Sequence, residues 1–325
     1  MRTFFLVALF SLSLFPAQIE PQIPKGDRFK LIKKIAENFN IRTDSGNFLY
    51  LCFDDQTREL VVIKRAVGSA IKLLANEAKI YEQTKGMPHV IKHYETIIEP
   101  EARFELLEYC PSGDLYQKIG RKNEEEFHHL MVQLVHAVNA LHEKFICHFD
   151  IKPQNILLIG AELKLADFGL SSYRPKGDRF AWGRAGTECI MAPEVAQSLT
   201  AKMSFNIYKA DVFSLGATIF WLIFAQPIFE TIGNEKHVEF LRKGPKKIIK
   251  ERSNQLNIVV DESLINLLEN MLRIDPTKRY SMSDVLEHEW IKPKEITSLS
   301  CLPFKSTKPS NKKKKFSFMA IFKKY

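Results

Sequence analysis

The residues best suited to chemistry lie in three short stretches. His148-Phe-Asp-Ile-Lys-Pro-Gln-Asn155 sets a carboxylate, a lysine two residues on and an amide three further within one loop-length segment. It offers a base, a cation and a metal ligand together. Twelve residues beyond Asn155, after the apolar Leu163-Lys-Leu-Ala166, comes Asp167-Phe168-Gly169. A carboxylate beside glycine suits a metal held close to backbone. The third stretch is Ala192-Pro193-Glu194. Taken singly each is weak, because short combinations of this kind recur widely.

Elements must hold these groups together. From Phe29 to about Val62 the pattern is strand-like, with Leu49-Tyr-Leu-Cys-Phe53 and Leu60-Val-Val-Ile63 as the strongest runs and Asp44-Ser-Gly46 and Asp54-Asp-Gln56 as turn formers. A charged helical stretch follows over Ser69 to Lys85, and strands return at 90–98 and 104–108. Beyond Pro111 apolar residues recur at three- and four-residue steps over 124–144, 210–224, 262–273 and 282–289, which predicts helices. A strand-rich front and a helix-rich rear meeting near residue 110 imply two lobes with a cleft between them.

Composition narrows the class. The 325 residues are 45% hydrophobic with 24 Phe, which excludes a wholly disordered chain, and 14 Gly with 15 Pro excludes collagen-like sequence. Five scattered cysteines, without metal-ligand or disulfide-framework spacing, point to a reduced compartment, so a cytoplasmic place is the simpler expectation. Ten Lys and one Glu between Ile291 and Tyr325 account for the whole net charge of +9. The body is therefore neutral, and no nucleic-acid partner is expected.

The ends carry their own signals. Met1-Arg-Thr followed by Phe4 to Phe15 resembles a signal-peptide core, although bulky Phe15 before Ala17 makes a poor cleavage site and no Asn-x-Ser/Thr acceptor occurs. Secretion through 1–17 and a leader packed on the body both remain open. At the other end, Lys312 to Lys315, then Phe316-Ser-Phe-Met-Ala-Ile-Phe322 and Lys323-Lys324, suits an anionic membrane surface or calmodulin, with Ser317 placed to weaken either contact if phosphorylated. A solvated basic tail or a nuclear-import signal is the plain alternative.

Read in order, the three stretches resemble the catalytic loop, the metal-binding Asp-Phe-Gly and the Ala-Pro-Glu of the eukaryotic protein kinase family. The resemblance covers about Asp27 to Ile291 and extends to further positions. Lys64, in Val61-Val-Ile-Lys64, resembles the family's phosphate-binding lysine, and Glu77 the helical glutamate that pairs with it. Leu107-Glu108-Tyr109-Cys110 looks like gatekeeper and hinge, followed by Pro-Ser-Gly-Asp114. Asp211 resembles the buried aspartate that ties down the catalytic loop, and Arg279 would close a salt bridge with Glu194; both are architecture. His148 is expected to be a backbone-bonded core histidine, and Cys110 a small hydrophobe.

The resemblance implies an α+β, two-lobed protein kinase-like fold: a small antiparallel-sheet lobe with one helix over 28–110, and a larger, mostly helical lobe over 111–291. A leader over 1–27 and a disordered basic tail over 292–325 flank it. It implies ATP and Mg²⁺ as cofactors, protein substrates, and a monomer. Asp150 would take the hydrogen bond of the incoming hydroxyl and Lys152 would stabilise the transferring phosphoryl group. Asn155 and Asp167 would hold metal. Lys64, held by Glu77, would grip phosphates; Leu49, Val62, Leu107 and Leu157 would enclose adenine, with Glu108 and Cys110 as hinge partners and Asp114 at the hinge exit.

Two departures stand out. The glycine-rich phosphate loop should lie near Ile41 to Phe48, where only Gly46 survives, so weaker ATP binding is expected. Phe149 stands where most of the family has Arg, and Arg174 to Gly186 contains no Ser, Thr or Tyr. Losing both halves of one ion pair suggests activity independent of phosphorylation there. Lys152 and Gly186-Thr187 are similar to serine/threonine kinases, with Thr187 expected to reach Asp150 and Lys152. Gln154 and Trp221 replace the acidic residues of arginine-directed relatives, and the rear lobe is similar to calcium/calmodulin-dependent-type kinases. The stripped loop also fits a pseudokinase serving as a nucleotide-binding or scaffolding module.

Overall fold

The computed structural model describes residues 22–40, 45–120, 123–183 and 185–292. Most of the leader, positions 41–44 of the expected phosphate loop and the tail 312–325 lie outside the described residues.

The front lobe is a five-stranded antiparallel sheet with one helix. Its strands are β1 (Phe29–Asn40), β2 (Ser45–Asp54), β3 (Glu59–Val67), β4 (His93–Glu99) and β5 (Ala102–Glu108), in spatial order β1-β2-β3-β5-β4. Side chains alternate between faces. One face carries Phe48, Tyr50, Cys52, Val61, Ile63, Phe104 and Leu106, closed by Phe29 and Ile23. The other carries Leu49, Val62, Lys64 and Leu107, because Leu49 pairs across from Lys64 and Val62 from Leu107. Helix α1 (Ala70–Thr84) buries Leu74, Glu77, Ala78 and Tyr81, so a carboxylate enters a packed face.

The rear lobe contains α2 (Glu124–Glu143), β6 (Ile146–Cys147), β7 (Ile156–Ile159), β8 (Glu162–Leu165), β9 (Ser172–Tyr173), β10 (Phe180–Ala181), α3 (Pro193–Ala201), β11 (Phe205–Asn206), α4 (Ile207–Phe224), α5 (Glu235–Lys243), α6 (Pro245–Leu256), α7 (Glu262–Met271) and α8 (Met282–Glu287). Helix α2 starts where Asn123 accepts the Glu126 N–H, and its first turn is Glu124-Glu-Glu126, charges that suit a helix N-terminus. Helix α4 is long and apolar enough to cross a membrane, yet most of it is buried inside this lobe. That all-round apolarity is the property of a central core helix.

The two-lobed architecture read from the sequence is what the structure has. Helices expected at 69–85, 124–144, 210–224, 262–273 and 282–289 are α1, α2, α4, α7 and α8. Helix α3 was not among those expected, and nor were α5 and α6. Each of the latter two is largely polar and sends few residues inward, His237 and Phe240 from one and Ile248 and Ile249 from the other.

Candidate active site

The catalytic-loop residues are held by a carboxylate far along the chain. Asp211, fully buried on α4, accepts the backbone N–H of His148 at 2.7 Å and of Phe149 at 2.8 Å, and faces His142 Nε2 at 3.0 Å. Burial opposes its charge, but the His142 and backbone bonds outweigh that and hold its pKa below the usual range. Phe149 adopts a left-handed φ of 64°, a strained conformation for an aromatic residue that these bonds maintain. His148 is the core histidine expected: its ring faces the Ala166 carbonyl at 3.1 Å and accepts the Asp150 N–H at 3.2 Å.

The three catalytic candidates meet. Asp150 lies 2.7 Å from the Lys152 ammonium and accepts from the Asn155 amide at 3.0 Å. Thr187 donates its hydroxyl to Asp150 at 2.6 Å and its N–H at 3.1 Å, and accepts from Lys152 at 2.9 Å. The expected reach of Thr187 is present. It depends on Gly186, whose φ is 101°; a Cβ there would lie 2.4 Å from the Phe149 carbonyl oxygen.

Across the cleft, Lys64 converges with two carboxylates. Its Nζ donates to Glu77 Oε1 and Oε2 at 2.9 and 2.7 Å and to Asp167 Oδ1 at 3.0 Å. Burial disfavours the ammonium, but Asp167 and Glu77 more than offset this and raise its pKa. Reciprocally, the Lys64 charge draws Asp167 down to about 2. Asp167 is therefore an ionised oxygen donor whose side chain is 50% exposed toward solvent. The segments carrying Asp167 and Asn155 are joined by the Ala166 N–H donating to the Asn155 carbonyl at 2.9 Å, and side-chain oxygens of these two types suit a hard divalent cation.

The adenine candidates are assembled by strand contacts. Leu49, Val62 and Leu107 share the inner sheet face, and β7, which carries Leu157, bonds to the chain leaving the hinge: Leu158 N–H to Gly113 O at 2.9 Å and Leu115 N–H to Ile156 O at 2.8 Å. Glu108 ends β5 and donates its N–H to the Lys92 carbonyl at 2.9 Å. Cys110 is buried, and burial pushes its thiol up to about 12, which fits a small hydrophobe. Asp114 is engaged locally, accepting from the Gln117 backbone and side-chain amides at 2.9 and 2.8 Å.

Gly46 corrects one expectation. It lies inside β2, opposite Phe39 and Val67, not in a loop. Residues 45–48 are ladder-paired with β1 and anchored by fully buried Phe48. The other departure gains a physical explanation. Phe149 is 7% exposed and packs edge-on against Phe205 of β11 at 6.1 Å.

Other residues that matter here were not singled out from the sequence. His142 steadies Asp211 from 69 positions away, and Tyr81 donates to Glu77 at 2.7 Å. The one available signal for Tyr81 was its position four residues after Glu77 on a helix.

A family model, the protein kinase domain, matches residues 45–291, and the chain belongs to that family. Among curated relatives, a probable myosin light chain kinase of Dictyostelium discoideum is 32% identical over 218 residues, covering 66% of this chain and 43% of its own. Serine/threonine-protein kinase chk1 of Schizosaccharomyces pombe is 30% identical over 258 residues, 74% of this chain and 50% of its own. Calcium-dependent protein kinase 3 of Plasmodium yoelii yoelii is 30% identical over 263 residues, 77% of this chain and 47% of its own. The chain thus spans about half the length of the curated relatives it matches.

Proposed function

We propose that this chain is a serine/threonine protein kinase, moving the γ-phosphate of ATP to protein hydroxyls without prior phosphorylation of its activation segment. The observation that carries the reading is the Lys64 ammonium bonded at once to Glu77 and Asp167, facing a loop in which Asp150, Lys152 and Thr187 are already joined. Phosphoryl transfer asks mainly for positioning and charge neutralisation. Lys64, fixed by Glu77, grips phosphate oxygens. Asp150 accepts the hydrogen bond of the attacking hydroxyl and orients it, while Lys152 offers charge to the transferred group. Asp167 and Asn155 would hold Mg²⁺, which when bound neutralises phosphate charge.

Independence from phosphorylation is supported by how residues 172–206 are tied down. Strand β9 pairs with β6, and β10 with β11. Arg174 reaches Asp178 and the Phe180 carbonyl, each at 3.1 Å. Where an Arg would await phosphate, Phe149 and Phe205 make an apolar contact. The pseudokinase reading draws only on the stripped loop and leaves this intact constellation without a role. A phosphatase-treated full chain, offered protein substrates with MgATP, is expected to label Ser and Thr, and Asp150→Asn to lose at least a hundredfold in kcat. Nucleotide binding without turnover on any substrate would overturn the reading.

The tail 312–325 is proposed to bind an anionic membrane surface or calmodulin, on its lysines and aromatics and on a calcium-dependent kinase among the relatives. The place of work would then be the cytoplasm and its membrane faces, which suits the four buried free thiols of the described residues. Deleting 312–325 is expected to abolish binding to phosphatidylserine vesicles and to Ca²⁺-calmodulin; retention of both would remove the proposal.

A further inference from the structure

Behind the Lys64–Glu77 pair lies a set of polar and aromatic contacts that the transfer chemistry does not itself use. Tyr81 stands one helical turn after Glu77 and is 1% exposed. Its hydroxyl donates to Glu77 Oε1 at 2.7 Å. One face of its ring lies flat on the His93 imidazole, with centroids 4.8 Å apart and planes 5° apart. Phe168 meets the same ring edge-on at 5.5 Å and 81°, and Phe168 in turn contacts the His148 ring at 5.2 Å.

His93 is itself fixed. Its Nε2 lies 2.8 Å from Glu105 Oε2, and Glu105, on β5, is fully buried. The second oxygen of Glu105 accepts from Arg103 Nε at 2.8 Å, and the Thr96 hydroxyl donates to the first. A buried carboxylate satisfied by three partners is a rigid support, because moving any one of them strands charge in a dry interior. Burial and the Glu77 charge push the Tyr81 phenol well above its ordinary pKa, so it stays a donor.

We propose that Tyr81 is a positioning residue for the nucleotide phosphates: its hydroxyl fixes the Glu77 carboxylate in the orientation that holds Lys64. A lysine between two carboxylates can be satisfied by several geometries. The Tyr81 hydroxyl selects one, because it is bonded to a Glu77 oxygen that itself accepts from Lys64. With only Gly46 left of the expected phosphate loop and no Ser, Thr or Tyr in 174–186, this latch supplies order that those devices would otherwise provide. The inference rests on the cleft being a nucleotide site, as proposed above.

The test is Tyr81→Phe in the full chain, which keeps ring and volume and removes only the hydroxyl. MgATP and adenosine are titrated separately by calorimetry against both proteins, with melting temperature as the folding control. MgATP affinity is expected to fall roughly tenfold, the scale of one hydrogen bond to a charged group. Adenosine, seated by the apolar residues, is expected to bind within about twofold of wild type. Unchanged MgATP affinity, or an equal loss for both ligands, would overturn the proposal, the second because it marks general loosening. A wild type that binds MgATP without turnover sinks the catalytic reading and leaves this one standing; one that binds neither ligand sinks both.

Discussion

Lys64 shows how a single side chain sets the electrostatics of the cleft. Paired with Glu77 alone it would be a buried ion pair of doubtful net worth; the third partner, Asp167, makes it a hub between the lobes. The depressed Asp167 pKa has a signed consequence. A carboxyl lowered from 3.8 to about 2 contributes stability that is present above its unfolded value and lost as pH falls through the folded one. Because the side chain is half exposed, screening reduces that contribution to about 1 kcal/mol. In chemical denaturation, the stability difference between wild type and Asp167→Asn is expected to shrink by that amount between pH 5 and 2; a difference constant with pH would contradict the pairing. At this scale the sequence was legible where neighbours carry the meaning: Asp150, Lys152, Asn155 and Asp167 stand in short strings. Glu105 was not, because in the sequence it is one charge in an ordinary strand, and only the β3–β5–β4 register buries it against Arg103 and His93.

Among elements, the stretch between Asp167 and Glu194 is the most instructive. Two-residue ladders at 172–173 and 180–181, the Arg174 contacts and the Thr187–Asp150 bond hold it in place. Phe149 is the counterpart of that economy. Phe149→Arg would place a guanidinium at a 7% exposed site against Phe205, leaving the charge largely unpaired at a cost of about 2–4 kcal/mol. A lowered melting temperature with no gain in kcat is expected; a stable, faster variant would show that the site still serves an anion. Periodicity made the long amphipathic helices legible, whereas the two-residue strands β6, β9, β10 and β11 leave no periodic trace and exist only through partners distant in the chain. Gly46 looks like a loop residue until its ladder partners, Phe39 and Val67, are known.

For the molecule as a whole, two lobes of different construction are joined at a hinge and closed by ion pairs from opposite sides of the cleft. The rear lobe is locked by a bidentate bridge from fully buried Arg279 to Glu194 at 2.5 and 2.9 Å, tying the end of the activation segment to the approach to α8. A neutral body carries a tail that holds the entire net charge. The assembled cleft is built for phosphoryl transfer. This function is tested most directly by following γ-phosphate transfer from radiolabelled ATP to protein serine and threonine in the phosphate-free chain, with and without Mg²⁺, beside Asp167→Ala. Mg²⁺-dependent labelling by wild type and its loss in the variant are expected; equal labelling by the two proteins, or none by either despite nucleotide binding, would contradict the account.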